Sequence, residues 1–374
     1  FPARGPASRA LLKVDDGLAA QNGLHNLRIL LHPDDEAFLF TPSNLMSNDH
    51  VGATLIEDER DVYYDAGVRL KSSQRGRPET LRVGFALRFS PDRLFRGSYD
   101  SVLIDRSEGV GYGQREMLIE QVMNHAGSVP SRYNDLAQVL VGRPELVGPA
   151  ALQLARNGPL FLDQQLEDGS DGLLFEYELV YYPVTTTDGT PTGLKLPKPD
   201  QVVGTAIKDL GADPERYRYS FLVKNNRWRD DYRGLMTFAR GLGQSGAALD
   251  AAVAANMDAD QWLRAFAFAT LSGAVDNYAS GAGHNANFYF RPSDGRALYL
   301  PHDLDFYGGS PQSAVVASPD LARLLASPER ARRYYAHLWD IITTSYNGTY
   351  MAGWCSHLGQ LLPGQDFASH LRFI

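Results

Sequence analysis

A short apolar segment that ends in two carboxylates one residue apart constrains this chain most. Residues 299–302 read Tyr-Leu-Pro-His, and Asp303 and Asp305 follow them, ahead of Gly308 and Gly309. An apolar run of this length predicts a buried β-strand, so the two acids would lie at a strand terminus. Carboxylate oxygens are the ligands that Mg²⁺ and Ca²⁺ prefer. The segment therefore predicts a metal site.

The residues ahead of these acids predict a helix, a polar loop and a β-hairpin, in that order. Residues 258–274 carry apolar side chains at helical spacing, with Asp258 as the expected N-cap residue. The apolar segments 287–290 and 297–300 flank the turn sequence Pro-Ser-Asp-Gly, which is typical of a hairpin. Asp276 then falls in the loop just after the helix.

Protein kinases place their catalytic groups in the same order. Their loop aspartate orients or deprotonates the acceptor hydroxyl, and a loop asparagine and a strand-end aspartate hold the metal that neutralises the phosphates. By this order, Asp276 is the candidate catalytic residue. The candidate metal ligands are Asp303, Asp305 and Asn287, with Asn277 or Asn285 as alternatives to Asn287.

The same segments carry a family resemblance. Three segments resemble the signature of the CotH family, which consists of atypical kinases named for a bacterial spore-coat protein. They are residues 276–278, 287–290 and 301–305 with Gly308. Further motifs of that family resemble residues 66–73, 85–89, 105–107 and 114–117, so the resemblance covers about residues 25–345. It implies a divergent kinase-like fold, ATP with a divalent metal, and phosphorylation of protein hydroxyl groups.

The resemblance leaves two candidates for the cation that binds the nucleotide phosphates. Lys71 ends an apolar strand of the first lobe, although a solvated strand-end charge is the alternative interpretation. Arg88, like Arg82, stands where the family commonly has lysine. Arginine still neutralises phosphate, but its planar fork prefers a different geometry. The family also commonly has tryptophan where this chain has His302.

Two glutamates complete the expected nucleotide site. Glu116 lies on the amphipathic helix predicted over 114–125 and would pair with the phosphate-binding cation, as in kinases generally, with Glu120 as the alternative. Glu176 lies on the strand predicted over 173–182 and shares a face with Glu178, so one of the two would face the nucleotide. An ordinary surface charge is the alternative for each glutamate.

These patterns predict an α+β protein with a two-lobed, atypical protein-kinase-like fold, β-rich in its first lobe and mainly helical in its second. Strands of the first lobe are expected at 27–31, 61–70, 81–89 and 101–105. The expected organisation is an N-terminal extension (1–24), a kinase-like first lobe (25–145), a middle strand and lid segment (146–213), and a helical second lobe with the catalytic loop and the metal-binding acids (214–374).

The composition of the chain limits the classes of partner that the protein is expected to bind. The chain has 36 Lys and Arg against 44 Asp and Glu, and its net charge of −8 gives no broad attraction to nucleic acid. No window has the apolar length that a transmembrane segment needs. The single cysteine, Cys355, excludes an internal disulfide and a Cys-based zinc cluster. The habit of the CotH family suggests a secreted or cell-surface protein, and a cytoplasmic location stays open.

Three other motifs are weaker. The segment 32–36 resembles the zinc motif of N-acetylglucosaminyl deacetylases, but proline followed by acids is also an ordinary helix start. The segment 241–246 has dinucleotide-binding spacing, but a helix and not a strand is expected before it. The glycine-rich segment 109–113 follows a strand and opens a helix, where amides can bind phosphate.

The function expected from these observations is transfer of the γ-phosphoryl group of ATP to Ser or Thr of a protein substrate. The metal would be Mg²⁺, with Mn²⁺ or Ca²⁺ as alternatives. Two other functions stay open. One is a catalytically weak surface-binding or adhesion protein on the same fold, and the other is nucleotidyl transfer with ATP reversed in its cleft.

Overall fold

Seven strands close into a β-barrel in the N-terminal part of the computed structural model. The structure describes residues 16–20, 22–73, 76–106, 115–155, 157–196, 199–305 and 309–374. The barrel strands are β1 (His25–Leu31), β2 (Val51–Glu57), β3 (Asp61–Lys71), β4 (Gly84–Arg88), β5 (Ser101–Asp105), β6 (Tyr133–Leu140) and β7 (Gly148–Leu154). Their order around the barrel is β1-β2-β3-β4-β5-β7-β6, and a parallel pairing of β6 with β1 closes it.

Alternation along the strands fills the barrel interior with apolar side chains. On β3, Val68 and Leu70 belong to the interior core, so the alternate residues Arg69 and Lys71 lie on the outer face. Leucine, valine, isoleucine and phenylalanine side chains from all seven strands fill the rest of that core. The barrel is therefore packed inside, and its polar chemistry lies on the outside.

The predicted two-lobed kinase-like fold is wrong, because the β-rich part closes into this barrel. Closure depends on pairings between residues far apart in the sequence, such as His25 with Ala137, which a local pattern does not reveal. The patterns located β1, β3, β4 and β5 and missed β2, β6 and β7. Strand β7 begins at residue 148, after the expected end of the first lobe at residue 145.

A second, four-stranded antiparallel sheet follows the barrel in the chain. Its strands are β8 (Leu173–Tyr177), β11 (Phe221–Val223), β12 (Ala286–Phe290) and β13 (Ala297–Pro301), in the order β11-β8-β12-β13. The β12–β13 hairpin confirms the turn prediction. The single strand predicted over 173–182 is instead divided between β8 and β9 (Val180–Tyr182), and β9 pairs only with β10 (Gln201–Val203) among the described residues.

Most of the helical residues follow the barrel. The helices are α1 (Pro33–Leu39), α2 (Arg115–Ala126), α3 (Pro159–Gln165), α4 (Glu215–Arg218), α5 (Arg233–Leu242), α6 (Gly246–Asn256), α7 (Ala259–Leu271), α8 (Pro319–Leu324), α9 (Pro328–Thr344), α10 (Gly348–Leu361) and α11 (Ala368–Phe373). The Asp258 carboxylate caps α7, as expected, by accepting from the Gln261 amide. Within the described ranges, no helix combines the length and the apolar character needed to cross a membrane.

The four-stranded sheet has one apolar face and one face with polar positions. Phe288 of β12 stacks on Trp262 of α7 with ring centroids 5.3 Å apart, so this face packs on the helices. Alternation turns Asn287 to the opposite face, where Glu176 of β8 and Leu300 of β13 are its cross-strand neighbours. The polar side chains of Asn287 and Glu176 therefore lie together on one face of a sheet that is otherwise apolar.

Helix α2 connects the two parts of the molecule. Its apolar residues, among them Leu118 and Val122, belong to the same core as the C-terminal helices. Its acidic residues Glu116 and Glu120 contact Gln153 of β7 and Asn134 of β6, respectively, on the barrel side. A helix with apolar and acidic faces therefore places carboxylates at the junction between barrel and helices.

Candidate functional site

Lys71 and Asp105 form an ion pair at the ends of β3 and β5, the two strands that flank β4. Lys71 is the last residue of β3 and Asp105 the last of β5, and Nζ of Lys71 lies 2.5 Å from Oδ2 of Asp105. Nε2 of Gln153 donates to the same oxygen at 2.6 Å. Burial alone would lower the pKa of Lys71, but the carboxylates of Asp105, Asp303 and Glu116 outweigh it and raise that pKa. Lys71 is therefore a firmly charged cation.

A buried arginine holds the two glutamates of α2. Arg132 lies just before β6 and donates from Nη2 to Glu116 at 2.8 Å and from Nε to Glu120 at 2.7 Å. All three side chains are less than a tenth exposed. Burial raises the pKa of Glu116 to about 7, against the opposing effect of Arg132. The glutamate expected to pair with the phosphate-binding cation thus has a permanent arginine partner.

Glu116 also holds the turn that carries the two strand-end acids. Its Oε1 accepts from the backbone N–H of Leu304 at 3.1 Å, between Asp303 and Asp305. Leu304 itself is buried in the core, and Asp303 has the left-handed φ of +56° that non-glycine residues seldom adopt. Such strained residues persist where the surroundings hold them, often at functional sites. The acids are therefore presented by an anchored turn.

The electrostatics of Asp303 favour a bound cation. Burial and the neighbouring Asp305 raise the pKa of Asp303 to about 6, whereas His302 and Lys71 oppose this effect. The pKa rises because two carboxylates next to each other repel when both are ionised. A cation between them would remove this repulsion and favour both ionised forms.

Asn287 is the asparagine that fits a ligand. It is 1% exposed, and among the described residues neither its Oδ1 nor its Nδ2 has a hydrogen-bond partner. A buried amide is normally satisfied, so the side-chain oxygen of Asn287 fits the role of a ligand to a bound cation. The alternatives serve the protein itself: Asn277 caps a 3₁₀ turn at Tyr278–Ser280, and Asn285 donates to the backbone of the Asp276 loop.

Asp276 lies in the loop after α7, as expected, and is half exposed. Its side chain is 51% accessible, and its Oδ1 lies 3.0 Å from Nε2 of His284, which is almost buried. Nδ2 of Asn285 donates to the Asp276 carbonyl oxygen at 2.6 Å. Asp276 is therefore held at both its backbone and its side chain while its carboxylate faces solvent.

Glu176 reaches the same region through ion pairs. Its Oε2 lies 2.6 Å from Nζ of Lys224, and its Oε1 lies 3.4 Å from Nε2 of His302. Burial alone would raise the pKa of Glu176, but His302 and Lys224 hold it well below its usual range. Burial raises the pKa of the adjacent Glu178 to about 7, with a contribution from Glu176. Glu176 thus neutralises two cations of the protein, next to Asn287.

Arg88 lies away from these groups. It is exposed at the end of β4, where it pairs in register with Gly67 and Ser101, whereas Lys71 pairs with Gly84 at the other end of that strand. Arg88 is four positions after Gly84 along the strand, which corresponds to a distance of about 13 Å. The structure therefore brings Lys71, and not Arg88, to the carboxylates.

This placement predicts different effects for two cation variants. On the hypothesis that Lys71 binds the phosphates of ATP, we expect Lys71→Met to weaken ATP binding at least about tenfold, because one charge-assisted contact contributes about 1.5–3 kcal/mol. We expect Arg88→Met, the matched control, to keep the ATP Kd of the parent. Isothermal titration calorimetry with ATP and Mg²⁺ measures both, and equal losses in the two variants would contradict the assignment.

A cavity of about 760 Å³ lies at the opposite end of the β12–β13 hairpin. Its lining includes Asp258, Arg291 and Asp294, and the arginine pairs with both acids at 3.0 Å and 2.6 Å. Both acids of this lining group therefore have a cationic partner in Arg291, whereas Asn287, towards the other end of the hairpin, has no hydrogen-bond partner among the described residues.

A second carboxylate group lies beside β1 and β2. Ligand-type atoms of His25, Glu57 and Asp58 lie within 4.8 Å of one another. His25 is, however, 2.7 Å from Asp58, and Arg96 is 2.7 Å from Glu57, so both acids already contact side chains of the protein. This group accordingly has a structural explanation.

The structure adds residues that the sequence interpretation missed. Asp105 could have been found from strand ends, because β3 and β5 end in residues of opposite charge. Arg132, His284 and Lys224 gave no local signal, since their partners come from distant segments. The weaker motifs behave as expected at residue 33, where α1 begins, and at 243–245, which join two helices. The segment 109–113 and Gly308 lie outside the described residues.

No protein-family model matches the chain, and no curated protein matches it. The similarity to CotH motifs therefore stays a resemblance of short segments, and the arrangement of the side chains carries the functional argument.

Proposed function

We propose that the protein is a metal-dependent phosphotransferase that transfers the γ-phosphoryl group of ATP to a Ser or Thr hydroxyl of a protein. The observation that carries the proposal is a chain of contacts between Lys71 and the strand-end acids. Lys71 pairs with Asp105, and Gln153 donates to both Asp105 and Glu116. Glu116 in turn accepts from the backbone N–H of Leu304, between Asp303 and Asp305. The proposal rests on these side chains and not on a kinase fold, because fold and function are separable.

The donor set fits a hard divalent cation. Asp303 and Asp305 offer carboxylate oxygens, and Asn287 offers an amide oxygen that has no partner among the described residues. Oxygen donors of this kind suit Mg²⁺, and also Mn²⁺ or Ca²⁺. A bound Mg²⁺ would supply neutralisation of phosphate charge. The protein's own contribution is the anchored turn at Leu304, which keeps both acids in place.

The remaining side chains have separate tasks. Lys71, which is 19% exposed, contacts a phosphate oxygen and adds positive charge. Asp276 orients the acceptor hydroxyl and takes up its proton, because its half-exposed carboxylate can reach an incoming protein. Little covalent chemistry is then required, and most of the rate enhancement comes from positioning and charge neutralisation.

Labelled ATP tests the proposal. The protein is incubated with γ-³²P-ATP and, separately, with α-³²P-ATP, each with Mg²⁺ or Mn²⁺ and with casein or histone as the acceptor. Label from the γ position on Ser or Thr is expected. Label from the α position would indicate nucleotidyl transfer. Bound nucleotide without any transfer would indicate a binding protein and contradict the proposal.

Thermal unfolding gives a second prediction. We expect ATP with Mg²⁺ to raise Tm more than either ligand alone, because a ligand that binds only the native state stabilises it. We expect Asp305→Ala to lose the metal-dependent part of this shift. The matched control is Asp34→Ala, at a side chain that is 93% exposed on α1. A shift of the same size without metal would contradict the metal assignment.

A further inference from the structure

His284 is a nearly buried histidine directly behind the exposed carboxylate of Asp276. We propose that His284 is a positioning residue, which fixes the Asp276 carboxylate in the orientation that receives the acceptor hydroxyl. This inference rests on the proposed phosphotransferase function and assigns a task to a residue outside the metal and nucleotide groups.

The contact joins a nearly buried side chain, His284, to a half-exposed one, Asp276. The His284 side chain is 9% exposed and that of Asp276 is 51% exposed, and their Nε2 and Oδ1 atoms lie 3.0 Å apart. A buried donor loses little further entropy when it holds an exposed acceptor. The packed ring can therefore fix one carboxylate oxygen while the group stays open to an incoming substrate.

The backbone around His284 supports the same task. Asn285 has a left-handed φ of +55°, and its Nδ2 donates to the carbonyl oxygen of Asp276 at 2.6 Å. Two consecutive residues thus hold Asp276, one at its side chain and one at its main chain. Strain held in place by such contacts is typical of pre-organised sites.

The charges around His284 strengthen this contact. Burial alone would lower the pKa of His284, but Asp276, Glu178 and Asp303 outweigh it and raise that pKa. A charged ring makes its bond to a carboxylate charge-assisted, and such bonds are about twice as strong as neutral ones. The other ring nitrogen, Nδ1, is buried without a hydrogen-bond partner among the described residues, so the Asp276 contact dominates the orientation of the ring.

The group transfer itself balances without a further reactant. A bond forms between the acceptor oxygen and the γ-phosphorus, and the bond from that phosphorus to the β–γ bridging oxygen breaks, with its electron pair leaving on ADP. The hydroxyl proton passes to Asp276. His284 exchanges no proton in this step and only holds the carboxylate.

Two variants of the full chain test the proposal. We expect His284→Phe, which fills the space without a donor, to lower kcat about 10–100-fold, the usual effect of losing such a supporting partner. KM for ATP and Tm should change little. His284→Gln keeps an N–H donor and should recover most of kcat. Full activity of His284→Phe, or equal loss in both variants, would overturn the proposal.

An NMR measurement separates this proposal from the proposed function. In protein labelled with ¹⁵N-histidine, the His284 ring should show a protonated Nε2 whose resonance moves in Asp276→Asn. An unchanged resonance would overturn the positioning role whatever the activity is. If the resonance moves but the parent transfers no phosphate, the phosphotransferase function fails and the positioning role for it falls too, while the contact between the side chains remains.

Discussion

Asparagine in place of Asp276 is expected to lower kcat for phosphoryl transfer about 10²–10⁴-fold, the range typical of a lost general base. Asparagine has the same shape and can still accept from His284, so only the proton acceptor is lost. The carboxylate is 51% exposed at the loop after α7, whereas the residues proposed to hold the nucleotide and its metal lie on the barrel, on β12 and after β13. We therefore expect the ATP Kd to stay within about twofold.

Steady-state kinetics and calorimetric ATP binding check this prediction. Asp34→Asn is the matched control, because Asp34 is an acid that is 93% exposed on α1, and it should keep the kcat of the parent. A variant at Asp276 that turns over like the parent would remove this residue from the mechanism. Weaker ATP binding with unchanged kcat would assign Asp276 to the nucleotide.

Local elements near the site follow from the sequence alone. The α7 helix begins after its Asp258 cap, and the β12–β13 hairpin encloses the Pro-Ser-Asp-Gly turn, as the periodicity and turn residues predict. These features depend on residues that are neighbours in the chain. The positions of Asp276, Asn287, Asp303 and Asp305 at a loop, a strand and a strand end follow from the same local rules.

The barrel does not follow from local rules. Strand β6, with the sequence Tyr-Asn-Asp-Leu-Ala-Gln-Val-Leu, has buried apolar positions that are too few to distinguish a strand from a helix or a loop. Its parallel pairing with β1 joins segments more than a hundred positions apart. The kinase-like fold was wrong for this reason, although the order of several elements was correctly predicted.

The sequence allowed the acidic residues of the candidate site to be predicted, but not the side chains with which they pair. Arg88 was chosen by residue type at an aligned position, but the register of β4 determines which end of the strand faces the acids. Glu116 was expected beside a phosphate-binding cation, yet Arg132 comes from the segment before β6 and binds it. Side-chain partners from distant segments are fixed by packing, which no spacing along the chain encodes.

Substitution of Arg132, the buried partner of Glu116 and Glu120, is expected to have the largest effect on stability. Arg132→Met should lower the free energy of unfolding by about 3–5 kcal/mol, because removal of one partner leaves uncompensated buried charge. Both Glu116 and Glu120 lose their cation in this variant, and methionine has a similar volume. Urea unfolding followed by circular dichroism measures the loss. Arg60→Met, at a side chain that is 79% exposed, should stay within about 0.5 kcal/mol.

The pH dependence of this loss distinguishes unpaired charge from lost packing. The pKa of Glu116 is about 7 in the folded protein, above its ordinary value of 4.5. The unfolded chain therefore loses this proton at a lower pH than the folded protein, and stability falls as pH rises from about 4.5 to about 7. Without Arg132 that pKa rises further. The loss should thus be larger at pH 8 than at pH 5.5, where Glu116 is neutral. Glu116→Gln and Glu120→Gln added to Arg132→Met should restore part of the stability. An equal loss at both pH values would show that the methionine variant suffers from packing and not from buried charge.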